Sequence, residues 1–332
     1  MQLNRVFVPP ILSSRLLCAP CEGELSVLKG ASMGTTWRVQ AVLIDRACGL
    51  QALVEAALLE VIEQMSTWEP SSFLSRFNRA EPETWHTLPR ESLEVLSYAA
   101  WLSKATQGAY DPTIGGLINA WGFGPTGPRT RPPSSPEIRE ALACAGWQRL
   151  RISHAERRMH QPGSLEIELS SIAKGFAVDQ VARALEANGI GDHLVEIGGE
   201  LRGAGCKPDG SPWWVEIESP ALHSEHRALV ALHDLSVATS GDYRRFLEVE
   251  GRRYSHAIDP RTGWPVDNDL ASVTVLAREC MHADALATAL HILGLEEGMR
   301  FARVHHIAAI FSQRSGGTLI DHLSPGTRQY LD

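Results

Sequence analysis

No stretch of this chain reaches the roughly 20 consecutive apolar residues that a membrane-spanning helix needs, and no Lys/Arg-rich run forms a local basic patch. With 31 basic against 39 acidic residues the formal charge is −8. An acidic chain without a basic patch is a poor partner for nucleic acid, and that class is set aside. Neither G-x-G-x-x-G nor G-x-x-x-x-G-K-[ST] occurs, so dinucleotide-fold and P-loop nucleotide binding lose their usual support. There is no internal repeat and no low-complexity tract. The six cysteines (Cys18, Cys21, Cys48, Cys144, Cys206, Cys280) are scattered through 332 residues, which argues against a disulfide scaffold. Cys18-x-x-Cys21 has neither a βαβ context for redox chemistry nor a second ligand pair for zinc.

The N-terminus also lacks something. Pro9-Pro10 and Arg15 interrupt the apolar run begun by Val6-Phe7-Val8, whereas an export signal wants an unbroken apolar region. Arg15-Leu16-Leu17 before Cys18 lacks the small residues of a lipoprotein cleavage site. The expectation is a soluble chain without a working signal, or a start assigned at the wrong place.

What is present is a 44% hydrophobic chain with 28 Gly and 19 Pro, enough for a sizeable core crossed by many turns. Met33–Ile44 reads as a strand. Leu50–Ser66 and Glu91–Gln107 read as amphipathic helices, the second closed by Gly108. Glu137–Ala145 and Ile172–Ala187 are further helices. Leu165–Leu169, alternating as L-E-I-E-L, reads as a strand. Short strands follow between 190 and 280, then a helix from His282 to Leu293 ended by Gly294, a short helix at 296–304 and a strand at 308–311. Five prolines between Pro125 and Pro136 mark an exposed loop that would divide two lobes. Strict βαβ alternation is missing, so the class is α+β with mixed or antiparallel sheets flanked by helices.

The pieces with chemical potential are few. In C-M-H-A-D-A-L-A-T-A-L (280–290), Asp284 and Thr288 stand four apart on one helical face, a hard-oxygen pair suited to Mg²⁺. The duller reading is that Asp284 caps the helix and Thr288 faces the interior. Glu168, Ser170-Ser171 and Lys174 sit where an extended segment turns into a helix start, a place for an anion or metal; equally, a serine there serves as an N-cap and Lys174 as a solvated side chain. Gly198-Gly199 permits close ligand approach or is a plain turn. Thr239-Ser240-Gly241 fits a phosphate cradle or a β-turn. His256, in S-H-A-I-D-P-R-T-G, is a base or a structural histidine. Trp68 lies in a polar loop, free to stack on a flat ring or to anchor the loop.

In order, these pieces resemble the FAD:protein FMN transferase (ApbE) family from about Met33 to about Gly294. The matching stretches are M-G-T-T-W (33–37), M-S-T-W-E-P-S-S-F-L-S-R-F-N (65–78), G-A-Y-D-P-T (108–113), W-G-F-G (121–124), S-I-A-K-G-F-A-V-D (171–179) and I-G-G-E (197–200). A-T-S-G-D-Y-R-R (238–245), Y-S-H-A-I-D-P-R-T-G (254–263) and A-D-A-L-A-T-A-L (283–290) complete the set. The resemblance implies a two-lobed α+β fold over 31–320, with 1–30 as an N-terminal extension, 321–332 as a tail and FAD as substrate between the lobes. It implies Mg²⁺, with Mn²⁺ as an alternative, on Ser171, Asp284 and Thr288. Flavin and adenine contacts fall on Met33, Trp68, Ala109, Tyr110, Asp111, Glu168, Lys174 and Ile258, with Gly199, Thr239, Ser240 and Gly241 beside them. Asp284 and His256 are the catalytic pair, His256 as base. The FMN half of FAD passes to a Thr or Ser hydroxyl of an acceptor flavoprotein, a membrane redox complex subunit or a flavin-dependent reductase, and AMP leaves.

Three departures stand out. Ser170-Ser171 replaces the family's frequent Gly-Gly, Trp68 a common Tyr, and Glu200 the usual Asp or Asn. Family members are often exported and lipid-anchored on the periplasmic face, and this N-terminus leaves the cytoplasm as an alternative. Competing readings are an Mg²⁺-dependent FAD pyrophosphatase giving FMN and AMP, and an FAD-binding protein without turnover.

Overall fold

The computed structural model describes residues 5–10, 23–44, 49–218, 228–243 and 245–331. Cys18, Cys21 and Cys48 lie outside them; Cys144 and Cys280 are free, and Cys206 is disulfide-bonded. Among the described residues no helix is long and apolar enough to cross a membrane.

In chain order, β1 (Arg5–Phe7), β2 (Glu24–Ser32) and β3 (Thr35–Leu43) precede helices α1 (Leu50–Met65) and α2 (Phe73–Asn78). Then come β4 (Thr84–Thr87), α3 (Arg90–Ala105), α4 (Gly115–Ala120), α5 (Ser135–Cys144), β5 (Arg151–Ser153), β6 (Arg158–Gln161) and α6 (Ala173–Ala187). Strands β7 (His193–Ile197), β8 (Glu200–Ala204), β9 (Trp213–Ile217), β10 (Ala228–Leu232), β11 (Leu235–Gly241), β12 (Phe246–Val249), β13 (Arg252–Ser255) and β14 (Leu270–Ala277) follow. α7 (Cys280–Val304), β15 (Ala308–Ser315) and β16 (Thr318–Leu323) end the series.

Eight strands build the central sheet, ordered β16-β15-β14-β11-β8-β7-β3-β2, with every neighbouring pair antiparallel. Side chains alternate across it. On one face Trp37, Val39, Val195, Ile197, Val273 and Val275 join α1, α6 and α7 in the main core. On the other, Val42, Leu194, Val237, Leu276 and Ile310 meet Phe7, Trp213 and Val230 of a three-stranded sheet ordered β1-β10-β9. That sheet is mixed, because β1 pairs with β10 in parallel. The α+β class with mixed and antiparallel sheets is therefore what the chain adopts. Residues 1–30 do not read as a structured segment in the sequence, yet Phe7 is fully buried and β2 forms one edge of the central sheet.

Several expectations shift. The strand expected from Met33 starts at Thr35, because Met33 and Gly34 (φ 53° and 71°) are the two-residue turn of the β2–β3 hairpin, a turn that needs positive φ at both positions. The expected break at Gly294 does hold: its φ 77° and ψ −179° are non-helical, so α7 is two helices joined at that residue. Leu165–Leu169 is not a strand. Its alternation does bury Leu165, Ile167 and Leu169, but among the described residues only a single bridge, Ile114 to Glu166, forms beside it, with Gly115 N–H donating to the Glu166 carbonyl at 2.9 Å and Glu168 N–H to the Pro112 carbonyl at 2.7 Å; side-chain amides take much of the rest. Asn78 bonds Ile167 N–H and C=O at 2.9 Å each, and Gln161 bonds Leu165 N–H and C=O at 3.2 and 3.1 Å.

Candidate functional site

α6 and α7 lie side by side against the sheet, and their N-terminal turns carry the site. α7 has no side-chain cap of its own. Instead the carboxylate of Asp179 on α6 accepts from the N–H groups of Cys280 (3.0 Å) and Met281 (2.8 Å), and Arg202 holds that carboxylate at 2.8 Å. The free N–H groups at a helix start need such an acceptor. The two helices touch at Gly175, where a Cβ would come within 2.4 Å of the Cys280 carbonyl oxygen and 2.8 Å of Asp284 Cβ.

That contact sets Asp284. Gly175 N–H donates to Asp284 Oδ2 at 2.9 Å; among the described residues this is the one hydrogen bond the carboxylate receives. Asp284 does not cap α7, since it lies in the second turn, and Thr288 follows one turn later on the same face. Burial pushes the Asp284 carboxyl above its ordinary range, with Lys174 and the Gly175 N–H opposing.

The start of α6 faces this carboxylate. Its N-cap is Ile172, without a side-chain bond, so neither serine serves as a cap. Ser171 Oγ donates to Tyr110 Oη at 3.1 Å. Ser170 N–H donates to Glu168 Oε1 at 2.8 Å. Burial raises the Glu168 carboxyl, against the Ser170 hydrogen bonds and the charge of Arg245. Tyr110 is buried, which holds its phenol neutral, and the charges of Asp284 and Glu168 push in the same direction. Lys174 is not a solvated side chain: Nζ contacts Glu200 Oε1. Burial would lower the ammonium's pKa, but Glu200 and Asp284 outweigh it and keep Lys174 charged. Glu200 is 3% exposed, and burial raises its carboxyl against the pull of Lys174.

His256 follows β13. Its Nδ1 lies 3.1 Å from the Arg245 carbonyl oxygen. A carbonyl can only accept, so Nδ1 carries the proton and Nε2 keeps its lone pair in the neutral ring. Burial first, then the charges of Arg245, His291 and Lys174, push the imidazole down to about 4. Phe123 meets the ring edge-on at 6.3 Å.

The remaining expected residues frame this cluster. Both oxygens of Asp111 are occupied, by Thr113 N–H and Oγ1 (2.8 and 2.7 Å) and by Trp147 N–H (2.8 Å), which fixes the turn beside Ala109 and Tyr110. Ile258 is buried with Leu117, Trp121 and Ile138 under the His256 loop. Gly198 and Gly199, both at positive φ, turn β7 into β8 and deliver Glu200. Thr239, Ser240 and Gly241 form neither a β-turn nor a loop cradle. They are the end of β11, paired with Thr274, Val273 and Ser272 of β14. Thr239 Oγ1 bonds Thr274 Oγ1 at 2.8 Å, and Ser240 Oγ lies 3.4 Å from His291 Nδ1. Trp68 is 57% exposed in a loop held by Ser66 Oγ, and Met33 occupies the β2–β3 turn. Bonds and mutual charge thus bring together Tyr110, Glu168, Ser171, Lys174, Asp284 and His256. Glu200, marked in the sequence only as a departure from the family pattern, joins them, as do Arg245 and Asp179, which lay within matching stretches without an assigned role.

The donors suit a hard divalent cation. Asp284 is a buried carboxylate that receives one hydrogen bond among the described residues, and Thr288 stands one helical turn further along α7. Among the described residues no group of three His, Cys, Asp or Glu side chains forms an all-protein cage. That pattern matches Mg²⁺, which keeps water and leans on substrate phosphates, better than it matches zinc.

Residues 33–311 match the family model described as the ApbE family. The chain belongs to the ApbE family. A relative from Vibrio cholerae, the FAD:protein FMN transferase, is 38% identical over 326 residues, covering 96% of this chain and 97% of the relative. The protein of the same name from Escherichia coli K12 is 33% identical over 314 residues, covering 93% and 90%. Among solved ApbE structures, the Pseudomonas stutzeri flavinyl transferase in its apo form superposes with a TM-score of 0.85 at 38% identity, covering 93% of this chain and 98% of that one. The Vibrio cholerae flavin transferase gives 0.86 at 37% identity, covering 93% and 100%.

Proposed function

We propose that this ApbE-family chain is an FAD:protein FMN transferase. The observation that carries the proposal is the buried Asp284 carboxylate, held by a single backbone N–H and faced by the Lys174 ammonium, in a fold shared with flavin transferases. Asp284, Thr288 and Ser171 would hold Mg²⁺, or Mn²⁺ with nearly the same donors; when bound, the ion neutralises charge on the FAD pyrophosphate.

The chain's own groups supply the rest. Lys174 and the start of α6 offer positive charge to the phosphates. Trp68, exposed in its loop, offers a face for a flat ring. The acceptor hydroxyl oxygen attacks the phosphorus on the riboflavin side, a new P–O bond forms, and the bond to the bridging oxygen breaks. AMP leaves with that oxygen. The hydroxyl proton passes to His256 Nε2, which the Arg245 carbonyl keeps unprotonated and oriented. The acceptor is a flavoprotein presenting a Thr or Ser, of the kind found in membrane redox complexes and flavin-dependent reductases.

Incubation with FAD and Mg²⁺ tests whether the site turns over at all. AMP release that disappears with chelator is the expected result. FAD that stays intact with every acceptor offered would leave a binding protein in place of an enzyme.

A further inference from the structure

Glu200 stands out among the charged groups of the site. It is the first residue of β8, delivered by the Gly198-Gly199 turn, and its side chain points to the helix face of the sheet, where Oε1 contacts Lys174 Nζ. Its other oxygen, Oε2, is buried and accepts no hydrogen bond among the described residues. A carboxylate withdrawn from water with half of its lone pairs unused is incompletely stabilised. Its partner is the lysine in the first turn of α6, the group best placed to meet a phosphate at that helix start. Lys174 also feels the charge of Asp284, so before any phosphate arrives this ammonium is already neutralised from two sides.

We propose that Glu200 is the resident counter-ion of Lys174, a positioning residue that holds the ammonium in the site and gives it up to the pyrophosphate when FAD binds. This rests on the flavin transferase reading and deepens it. Glu200 competes with the substrate for one cation. It lowers ground-state affinity for FAD, keeps Lys174 from collapsing onto Asp284, and takes Lys174 back as the phosphates depart. The opposite would hold for a residue that merely supports the fold, whose loss weakens substrate binding.

The test is FAD affinity, read by flavin fluorescence in chelator at low salt, for the wild-type chain, Glu200→Gln, Glu200→Asp, Lys174→Met and the Lys174→Met, Glu200→Gln double variant. Glu200→Gln keeps the shape and removes the charge. It is expected to tighten FAD binding about tenfold, the scale of one exposed phosphate–ammonium contact no longer opposed, while Glu200→Asp stays within about threefold of wild type. In a Lys174→Met background the Glu200→Gln change is expected to move FAD affinity less than about twofold, because the competed cation is gone. Thermal melts of each variant identify any that fail to fold, and the Lys174→Met pair gives an answer independent of the single variant. Unchanged or weaker FAD binding in folded Glu200→Gln overturns the proposal while leaving the transferase reading intact. A wild-type chain that binds no FAD either in chelator or with Mg²⁺ overturns both.

Discussion

Gly175 and Asp284 are matched across the α6–α7 contact: the glycine N–H reaches Asp284 Oδ2 at 2.9 Å, and a Cβ on that glycine would sit 2.8 Å from Asp284 Cβ. The close approach that lets the helices pack also aims the carboxylate. Packing and chemistry meet at one backbone position, so a change there is read out in both.

Gly175→Ala is expected to lower stability by about 1–3 kcal/mol through overpacking, because the nearest obstacle is the Cys280 carbonyl at 2.4 Å, backbone that cannot swing away. The same variant should need more Mg²⁺ to reach half-maximal AMP release. Thermal melts and an Mg²⁺ titration check both parts, and wild-type values for each would show that the contact is slack.

Asp284→Ala should keep FAD binding and lose Mg²⁺-dependent AMP release by about 100-fold or more, the scale of several kcal/mol of metal-assisted stabilisation. Activity that still rises with Mg²⁺ as in wild type would remove Asp284 from the metal site.

His256 gives a pH signature. Its folded-state pKa lies at about 4, below the ordinary 6.5, so the neutral form dominates at pH values where a free histidine is already charged. The acid limb of kcat/KM is therefore expected near pH 4 and not near 6.5. The linkage sign agrees. A depressed folded pKa contributes stability that is fully present above 6.5 and lost as pH falls from there through about 4. His256→Ala should keep FAD binding, lose transfer and flatten that acid loss of stability. An acid limb that stays put in His256→Ala would assign the limb to another group, and unchanged transfer would exclude His256 as the base.

Asp179 is fully buried, caps α7 and pairs with Arg202. Among the described residues, Asp179→Ala leaves both helix N–H groups without their acceptor and the Arg202 guanidinium with only its 3.4 Å contact to the half-exposed Glu186, a loss of about 3 kcal/mol by the usual cost of breaking a buried pair. Chemical denaturation measures it. A loss under about 1 kcal/mol would mean that water replaces the carboxylate freely.

Much of this site was legible because its pieces are local. Asp284 and Thr288 share a helical face by spacing alone, and α1, α3 and α6 announce themselves by apolar periodicity. What escaped was decided by distant partners. Leu165–Leu169 alternates like a strand, but the Asn78 and Gln161 side chains and two backbone bonds to the 112–115 segment pair it in place of a ladder, and no pattern within the segment encodes that. β2 and β16 are the two edges of the central sheet, half exposed, and carry too weak an alternation to stand out. Glu200 reaches Lys174 across 26 positions only because a two-glycine turn reverses the chain. Thr239-Ser240-Gly241 has the composition of a loop cradle, yet pairing with β14 draws it into the sheet. Tertiary pairing overrode local composition in each case.

The most direct measurement is the intact mass of an acceptor flavoprotein after incubation with this chain, FAD and Mg²⁺. A gain of one FMN on a Thr or Ser is expected, accompanied by AMP and abolished by chelator. No gain on the acceptor, with free FMN and AMP released in its place, would contradict it and make the chain an FAD pyrophosphatase.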